Sequence, residues 1–220
     1  MSPAMPIEEL CARYRRLYTP AVADALDEKG LWHQIVDRRI QPLTLTMKVA
    51  GPAFTMLGRP ERSTDRRIRK GVKAVDAVRP HTVVVMDCSG EEITGHWGEL
   101  LTNGTLVRGG TGAVVDGGVR DTAAILELNF PVFCKFRSPA DAKGRWNVVD
   151  FDCPVVLGGV PVKPGDVVVG DADGVVVVPS ELAVEVLLEA EAVVNEENEV
   201  RRRVRNKESV ADLYMQFKRF

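Results

Sequence analysis

The sequence predicts an α/β fold, and three observations predict it. Residues 65–136 alternate helical and strand patterning three times over. A valine-rich block, "WNVVDFDCPVVLGGVPVKPGDVVVGDADGVVVVP", then reads as short strands joined by turns. Helical segments stand at both ends of the chain. The 220 residues, 45% hydrophobic and 27% charged, suit a single domain spanning 1–220, with a C-terminal helical extension over about 180–220.

Residues 7–17 carry helical spacing. Thr19-Pro20 opens a second helix, the hydroxyl as cap and the proline at the first helical position, and Gly30 closes it. The stretch "TMKVAGPAFTML" (46–57) alternates like a strand and is expected to bend and break at Gly51-Pro52. A basic segment follows, "GRPERSTDRRIRKGVKAVDAVRP", whose second half has helical spacing at Ile68, Val72, Val75 and Val78. The β-branched run "TVVVMD" (82–87) is a buried strand.

"ITGHWGELL" then enters a helix near Gly98, "GAVVDGG" is a second buried strand, Asp121 starts the helix "DTAAILELN", and "FPVFCKF" (130–136) is a third strand. Turns are expected at Gly158-Gly159, at Pro164-Gly165-Asp166 and at Asp173-Gly174. Ser180 caps a long C-terminal helix, acidic early and basic late as its dipole prefers, and Glu208-Ser209 opens a last short one.

Composition removes several function classes. A net charge of −2 gives no global drive toward nucleic acid or an anionic membrane. No apolar run approaches the roughly 20 residues of a membrane helix, and "MSPAMPIEEL" lacks the pattern of a signal peptide. Cys11, Cys88, Cys134 and Cys153 show no metal-site or paired spacing, so buried free thiols in a reduced, cytoplasmic protein are expected. His33, His81 and His96 form no HxH or HExxH, which argues against zinc. "DADG" (171–174) lacks the rest of a calcium loop and reads as a hairpin turn, and "GGTG" (109–112) leads into a strand rather than out of one.

The chemistry concentrates in "GELLTNGTLVRGGTGAVVDGGVRD" (98–121). A helix starting near Gly98 presents free N–H groups that can hold a small carboxylate. Glu99 is either an ordinary first-turn acid or part of a site, and Asp121 either a plain helix cap or a ligand-facing carboxylate at a strand's carboxyl end. Taken together, Glu99, Arg120 and Asp121 supply two carboxylates for a hard divalent cation, magnesium or manganese, and one guanidinium for a negatively charged oxygen. These are the parts needed to bind a 2-oxo acid and stabilise its enolate. His96, close in sequence, is within reach of such a site or simply solvated.

"GELL" followed across this gap by "GAVVDGGVRD" resembles the RraA-like family, which includes class II pyruvate aldolases acting on 4-hydroxy-4-methyl-2-oxoglutarate and 4-carboxy-4-hydroxy-2-oxoadipate. "TPAVADALDEKG", "VAGPAFTM", "FPVFCKF" and "VKPGDVVVGDADGVVVVP" resemble its other blocks. The resemblance implies a compact β/β/α sandwich of the swivelling-domain type, assembled as trimers or hexamers with sites between subunits. It implies that Asp121 binds the metal, Glu99 holds a metal-bound water, Arg120 holds the keto or enolate oxygen, and the amides of Leu100 and Leu101 next to Gly98 hold the pyruvate carboxylate. A glutamate from a neighbour's C-terminal helix is implied too, with Glu196 the nearest match.

The implied activity is release of pyruvate from a 4-hydroxy-2-oxo acid, with oxaloacetate decarboxylation as a side reaction. The family also contains inhibitors of ribonuclease E, so a non-catalytic binding role is the alternative, as is a related lyase acting on another 2-oxo or sugar acid. The chain departs from the family at Ser63-Thr64-Asp65-Arg66, where Gly-Asp-Asn is common, and at Arg79-Pro80-His81, where Pro-Gly-Asp is common.

Overall fold

The computed structural model describes residues 5–65 and 70–217. In chain order the elements are α1 (Ile7–Tyr14), α2 (Thr19–Asp27), β1 (Gln41–Pro42), β2 (Val49–Pro60), α3 (Lys70–Asp76), β3 (Val83–Asp87), β4 (Gly95–Trp97) and α4 (Glu99–Val107). They continue with β5 (Gly112–Val119), α5 (Thr122–Glu127), β6 (Val132–Arg137), β7 (Trp146–Phe151), β8 (Val155–Leu157), β9 (Val160–Val162), β10 (Val167–Asp171), β11 (Gly174–Val178), α6 (Ala183–Arg205) and α7 (Val210–Phe217). Ile68 and Arg66, expected to begin the third helix and its preceding loop, lie outside the described residues.

The main sheet runs β1-β6-β5-β3-β2-β10-β11, with β4 added beside β5 and β7 beside β2. β2, β3, β5 and β6 are parallel neighbours, the helix-linked half of the sequence, while β2-β10-β11 is antiparallel, the valine-rich half. β3, β5 and β10 are buried along their whole length, which is why they read as unbroken apolar runs rather than alternating ones. The sheet nearly closes, because β1 also packs near β11 and Ile35 bridges Val176.

Three apolar clusters fill the space. One lies under α3, α4 and α5 and includes Phe54, Trp97, Ile125 and Trp146. A second joins α1, α2 and α6 to β10 and β11. The third is the interior seam where the β8-β9 hairpin covers Val83, Val114 and Phe133. The hairpin turn uses Gly158 and Gly159, both at positive φ (49° and 90°), a conformation that favours glycine.

Several local expectations change. β2 does not break at Gly51-Pro52; it is continuous and changes partners there, pairing with β10 through Pro52 and with β3 from Ala53. Thr19 does not cap its own helix. Its N–H and hydroxyl both donate to the buried Asp171 carboxylate (2.8 and 2.7 Å), so the β10-β11 turn supplies the cap for α2. Ser180 begins a short 3-10 turn, and α6 starts at Ala183 without a side-chain cap. Ser209 does serve α7, its Oγ accepting from Asp212 N at 3.3 Å. Cys11, Cys88 and Cys134 are buried free thiols and Cys153 is half-buried.

Candidate active site

α4 begins where β4 ends, and the turn is built by side chains. Trp97 Nε1 donates to Thr102 Oγ1 (2.8 Å), and that hydroxyl donates to Gly98 O (3.0 Å), which fixes the direction of the first helical turn. The amides of Leu100 and Leu101 fall in that turn, where an α-helix provides no acceptor. Both residues line an open cleft of about 420 Å³. Leu100 is 81% exposed.

Opposite this helix start, β5 delivers Arg120 and Asp121 to the same cleft. Asp121 takes the left-handed conformation (φ 55°, ψ 33°), uncommon outside glycine although Asp tolerates it better than most. Its carboxylate makes no capping bond to α5. Instead Oδ2 lies 3.4 Å from Glu99 N, and Oδ1 lies 3.4 Å from Arg120 Nε. The plain-cap role weighed from the sequence is therefore not what the side chain does. Arg120 Nη1 stands 3.9 Å from Asp141 Oδ2 across the cleft.

The Arg120 stem is placed by the backbone beneath it. Its N–H donates to Trp97 O at 2.9 Å. A β-carbon on Gly95 would sit 2.8 Å from Arg120 Cβ, and one on Gly98 would sit 3.1 Å from its Cγ and 2.7 Å from Asp121 Oδ2. The glycines of "GHWG" are thus the floor on which the arginine and aspartate rest.

Glu99, half-buried, accepts from Asn103 Nδ2 within α4. Gly98, Leu100, Leu101, Arg120 and Asp121 all line this cleft; Glu99 meets them through its backbone N–H beside Asp121 Oδ2, while its carboxylate turns to Asn103. Glu196 is exposed on α6, in the layer that packs on α1 and α2, and does not line the cleft.

Among the described residues no three His, Cys, Asp or Glu side chains gather as a metal cage. Asp121 and Glu99 flank the same turn as an oxygen-only pair. That donor set fits a small hard cation that keeps most of its own waters, and it is a poor match for zinc.

His96 lines the cleft but is buried. Nδ1 accepts from Gly118 N (3.0 Å), Nε2 lies 2.9 Å from Glu91 Oε2, and the ring packs edge-on against Trp146 with centroids 4.7 Å apart. Burial pushes its pKa down to about 4, outweighing the Glu91 carboxylate that opposes the shift. A buried, neutral ring is not the solvated loop histidine that the sequence left open, and it does reach the site.

Sequence reasoning missed β4, Asp141, Asn147 and the Trp146 wall. A three-residue strand carries no period, and Asp141 sits in an irregular loop, so neither leaves a pattern to find. Val72 and Val148 also line the cleft, although their apolar spacing read only as core.

An open cleft at the carboxyl end of a parallel strand, lined by a helix N-terminus and an Arg-Asp pair, defines a class of small-anion sites on α/β sheets. The RraA-like family model (Aldolase/RraA) matches residues 19–177, and the chain belongs to that family. A protein of Halalkalibacterium halodurans named "Putative 4-hydroxy-4-methyl-2-oxoglutarate aldolase" is 34% identical over 176 residues, 78% of this chain and 77% of that protein.

Protein DlpA of Legionella pneumophila is also 34% identical, over 166 residues; these are 76% of this chain but 27% of the longer relative. Among solved structures, Streptomyces coelicolor RraAS2, described as an unusual member of the RNase ES inhibitor RraA protein family, superposes with a TM-score of 0.81. It is 32% identical, and the match covers 90% of this chain and 100% of that one. The nearly closed mixed sheet and the long C-terminal helix are thus those of an RraA-fold protein. Among the described residues no helix is long and apolar enough to cross a membrane.

Proposed function

We propose that this protein is a divalent-metal-dependent aldolase that cleaves a 4-hydroxy-2-oxo acid and releases pyruvate, with oxaloacetate decarboxylation as a side activity. The observation that carries the reading is the meeting of the α4 N-terminus with the Arg120-Asp121 pair. Glu99 N and Asp121 Oδ2 are 3.4 Å apart although 22 residues separate them.

In this reading the amides of Leu100 and Leu101 hold the substrate's C1 carboxylate. Arg120 holds the C2 keto oxygen and stays with it as negative charge develops there. The C4 hydroxyl gives up its proton to a water held by Glu99, and its oxygen becomes a carbonyl as the C3–C4 bond breaks. The bonding pair moves into the pyruvate enolate, which takes a proton back at C3. From oxaloacetate the departing group is carbon dioxide instead. A magnesium or manganese ion, held by Asp121 directly and by Glu99 through water, would add Lewis-acid polarisation of the keto oxygen. Donors aimed at the developing charge would be worth far more where a neighbouring subunit shields the cleft from water.

In this reading the protein is a homo-oligomer, trimer or hexamer, in which a neighbour's Glu196 completes the site. A substrate panel tests the function: pyruvate release from 4-hydroxy-4-methyl-2-oxoglutarate, 4-carboxy-4-hydroxy-2-oxoadipate and oxaloacetate, with magnesium, manganese or chelator. Metal-dependent release is expected. No release from any of the three by folded, metal-supplied protein overturns the reading and favours the second one, a binding protein like the RNase ES inhibitor relatives, which variants at Glu99 and Asp121 would leave intact.

A further inference from the structure

The Arg120-Asp121 turn is held in place by a histidine that sequence alone could not assign. β4 joins β5 through the pairs Gly95–Gly118 and Trp97–Val119, and the register shifts between them, so the ladder is interrupted at residue 96. On the other side of β5 the pairing with β6 also shifts, between Val115 and Gly118. Where a ladder slips, a backbone N–H needs another acceptor. Gly118 N finds it in His96 Nδ1 at 3.0 Å, two residues before Arg120.

The ring has one place to sit. A β-carbon on Gly117 would be 2.5 Å from His96 Nδ1, so only glycine at 117 admits the imidazole. Trp146 and Phe136 close it edge-on, with centroids at 4.7 and 6.5 Å. Nε2 lies 2.9 Å from Glu91 Oε2 without the alignment of a hydrogen bond, and that carboxylate is fixed by the amides of Thr94 (2.8 Å) and Ile93 (3.2 Å). The same three-residue strand then receives the Arg120 stem over Gly95 and its N–H on Trp97 O. One side chain therefore sets how β4 lies on β5, and β4 sets where Arg120 enters the cleft.

We propose that His96 is the positioning residue for Arg120: as a neutral imidazole with its proton on Nε2 and its Nδ1 lone pair on Gly118 N–H, it locks the slipped β4-β5 register that aims the guanidinium into the cleft. The consequence for catalysis rests on the pyruvate-lyase reading, in which Arg120 holds the oxygen that becomes anionic. His96 itself does not touch substrate. A misaimed Arg120 weakens the transition state, while the carboxylate-binding amides of α4, tied to β4 itself through the Trp97–Thr102–Gly98 hydrogen bonds, keep their own geometry. The expected signature is a loss in kcat with little change in KM.

The experiment uses the full chain with magnesium and three proteins: wild type, His96→Phe, which keeps a ring and removes the acceptor, and His96→Asn, whose Oδ1 can accept from Gly118 N–H. His96→Phe is expected to lower kcat tenfold or more with KM within about twofold, and His96→Asn to recover most of the loss. Equal kcat in all three, a parallel change in KM, or His96→Asn no better than His96→Phe in folded protein overturns the proposal.

Nitrogen NMR of wild type provides a test independent of the variants' folding: Nε2–H as the populated tautomer is expected, and Nδ1–H overturns the proposal. The NMR signal of the Arg120 Nε–H separates the two readings. If wild type turns over no 2-oxo acid, the lyase reading fails. A shifted or broadened Arg120 signal in His96→Phe, restored in His96→Asn, still supports the positioning role, and an unchanged signal contradicts it.

Discussion

Gly98 and Asp121 are in contact: a β-carbon built on Gly98 would stand 2.7 Å from Asp121 Oδ2. The backbone at Gly98 is extended (φ −152°), so any residue could adopt its conformation. The glycine is there for space. It lets the α4 N-terminus and the aspartate carboxylate share one small volume.

Gly98→Ala should therefore separate function from stability. The group that must give way is the movable end of a half-exposed side chain, so the fold should survive with a thermal midpoint within a few degrees of wild type. Asp121 should be pushed off its position, and activity should fall about tenfold or more. Circular dichroism melting and a pyruvate assay on the same sample check both halves. A fully active Gly98→Ala protein would mean that Asp121 is not required where it stands.

Arg120→Ala should lower kcat by about 10²–10³, the usual cost of removing one donor to a developing oxyanion. Arg120→Lys should recover only part of this, because a compact ammonium cannot match the planar fork. Steady-state kinetics on oxaloacetate or an aldol substrate measure it.

Stability should depend on pH through His96. Burial lowers its pKa in the folded protein to about 4, from the ordinary value of 6.5. Between these values the unfolded chain binds more protons than the folded one, so stability falls as pH falls. The contribution is fully present above about pH 6.5 and lost progressively down to about pH 4, by up to about 3 kcal/mol. Glu91 adds to the loss at lower pH: burial pushes its carboxyl up, but the amides of Thr94 and Ile93 outweigh this and hold it below its ordinary value. Urea unfolding across this range should show the slope, and His96→Asn should flatten it.

Gly58→Ala should be damaging for a different reason. Its β-carbon would lie 1.7 Å from Trp146 Cζ2, in a ring that is buried and donates to Cys88 O at 3.2 Å. The ring has no free end to swing, so a loss of about 1–3 kcal/mol or more is expected. Because Trp146 also walls the cleft and packs on His96, activity should fall with it. Denaturant midpoints report the first effect and turnover the second.

Asp171→Ala should cost about 1–3 kcal/mol, since it leaves the N–H and hydroxyl of the buried Thr19 without their acceptor. The cleft lies in another layer, so kcat should change little.

These cases show what the sequence could and could not carry. Periodic features were legible: the buried runs of β3 and β5, the glycine turn at 158–159, and the alternation that ends at Arg120 and Asp121. So was the Glu99-to-Asp121 grouping, because both ends were marked by glycines at a strand or helix terminus. Features that depend on distant partners were not legible. Thr19 looked like a cap by local rules, but its true partner Asp171 is 152 positions away. Gly51-Pro52 looked like a break because a single strand changing partners in mid-course leaves the same local signature. His96 could be judged only once Gly118, Glu91 and Trp146 surrounded it.

In the proposed function Glu99, Arg120 and Asp121 form a site for the enolate of pyruvate. Proton NMR of pyruvate in deuterium oxide tests this without knowledge of the natural substrate. Forming the enolate removes a methyl proton, and its return from solvent leaves deuterium. With magnesium, the wild-type protein should wash out the methyl signal far faster than buffer alone, and both chelator and Asp121→Ala should abolish the effect. A methyl signal that persists in the presence of folded, magnesium-supplied protein, or that Asp121→Ala exchanges as fast as wild type, would contradict the claim.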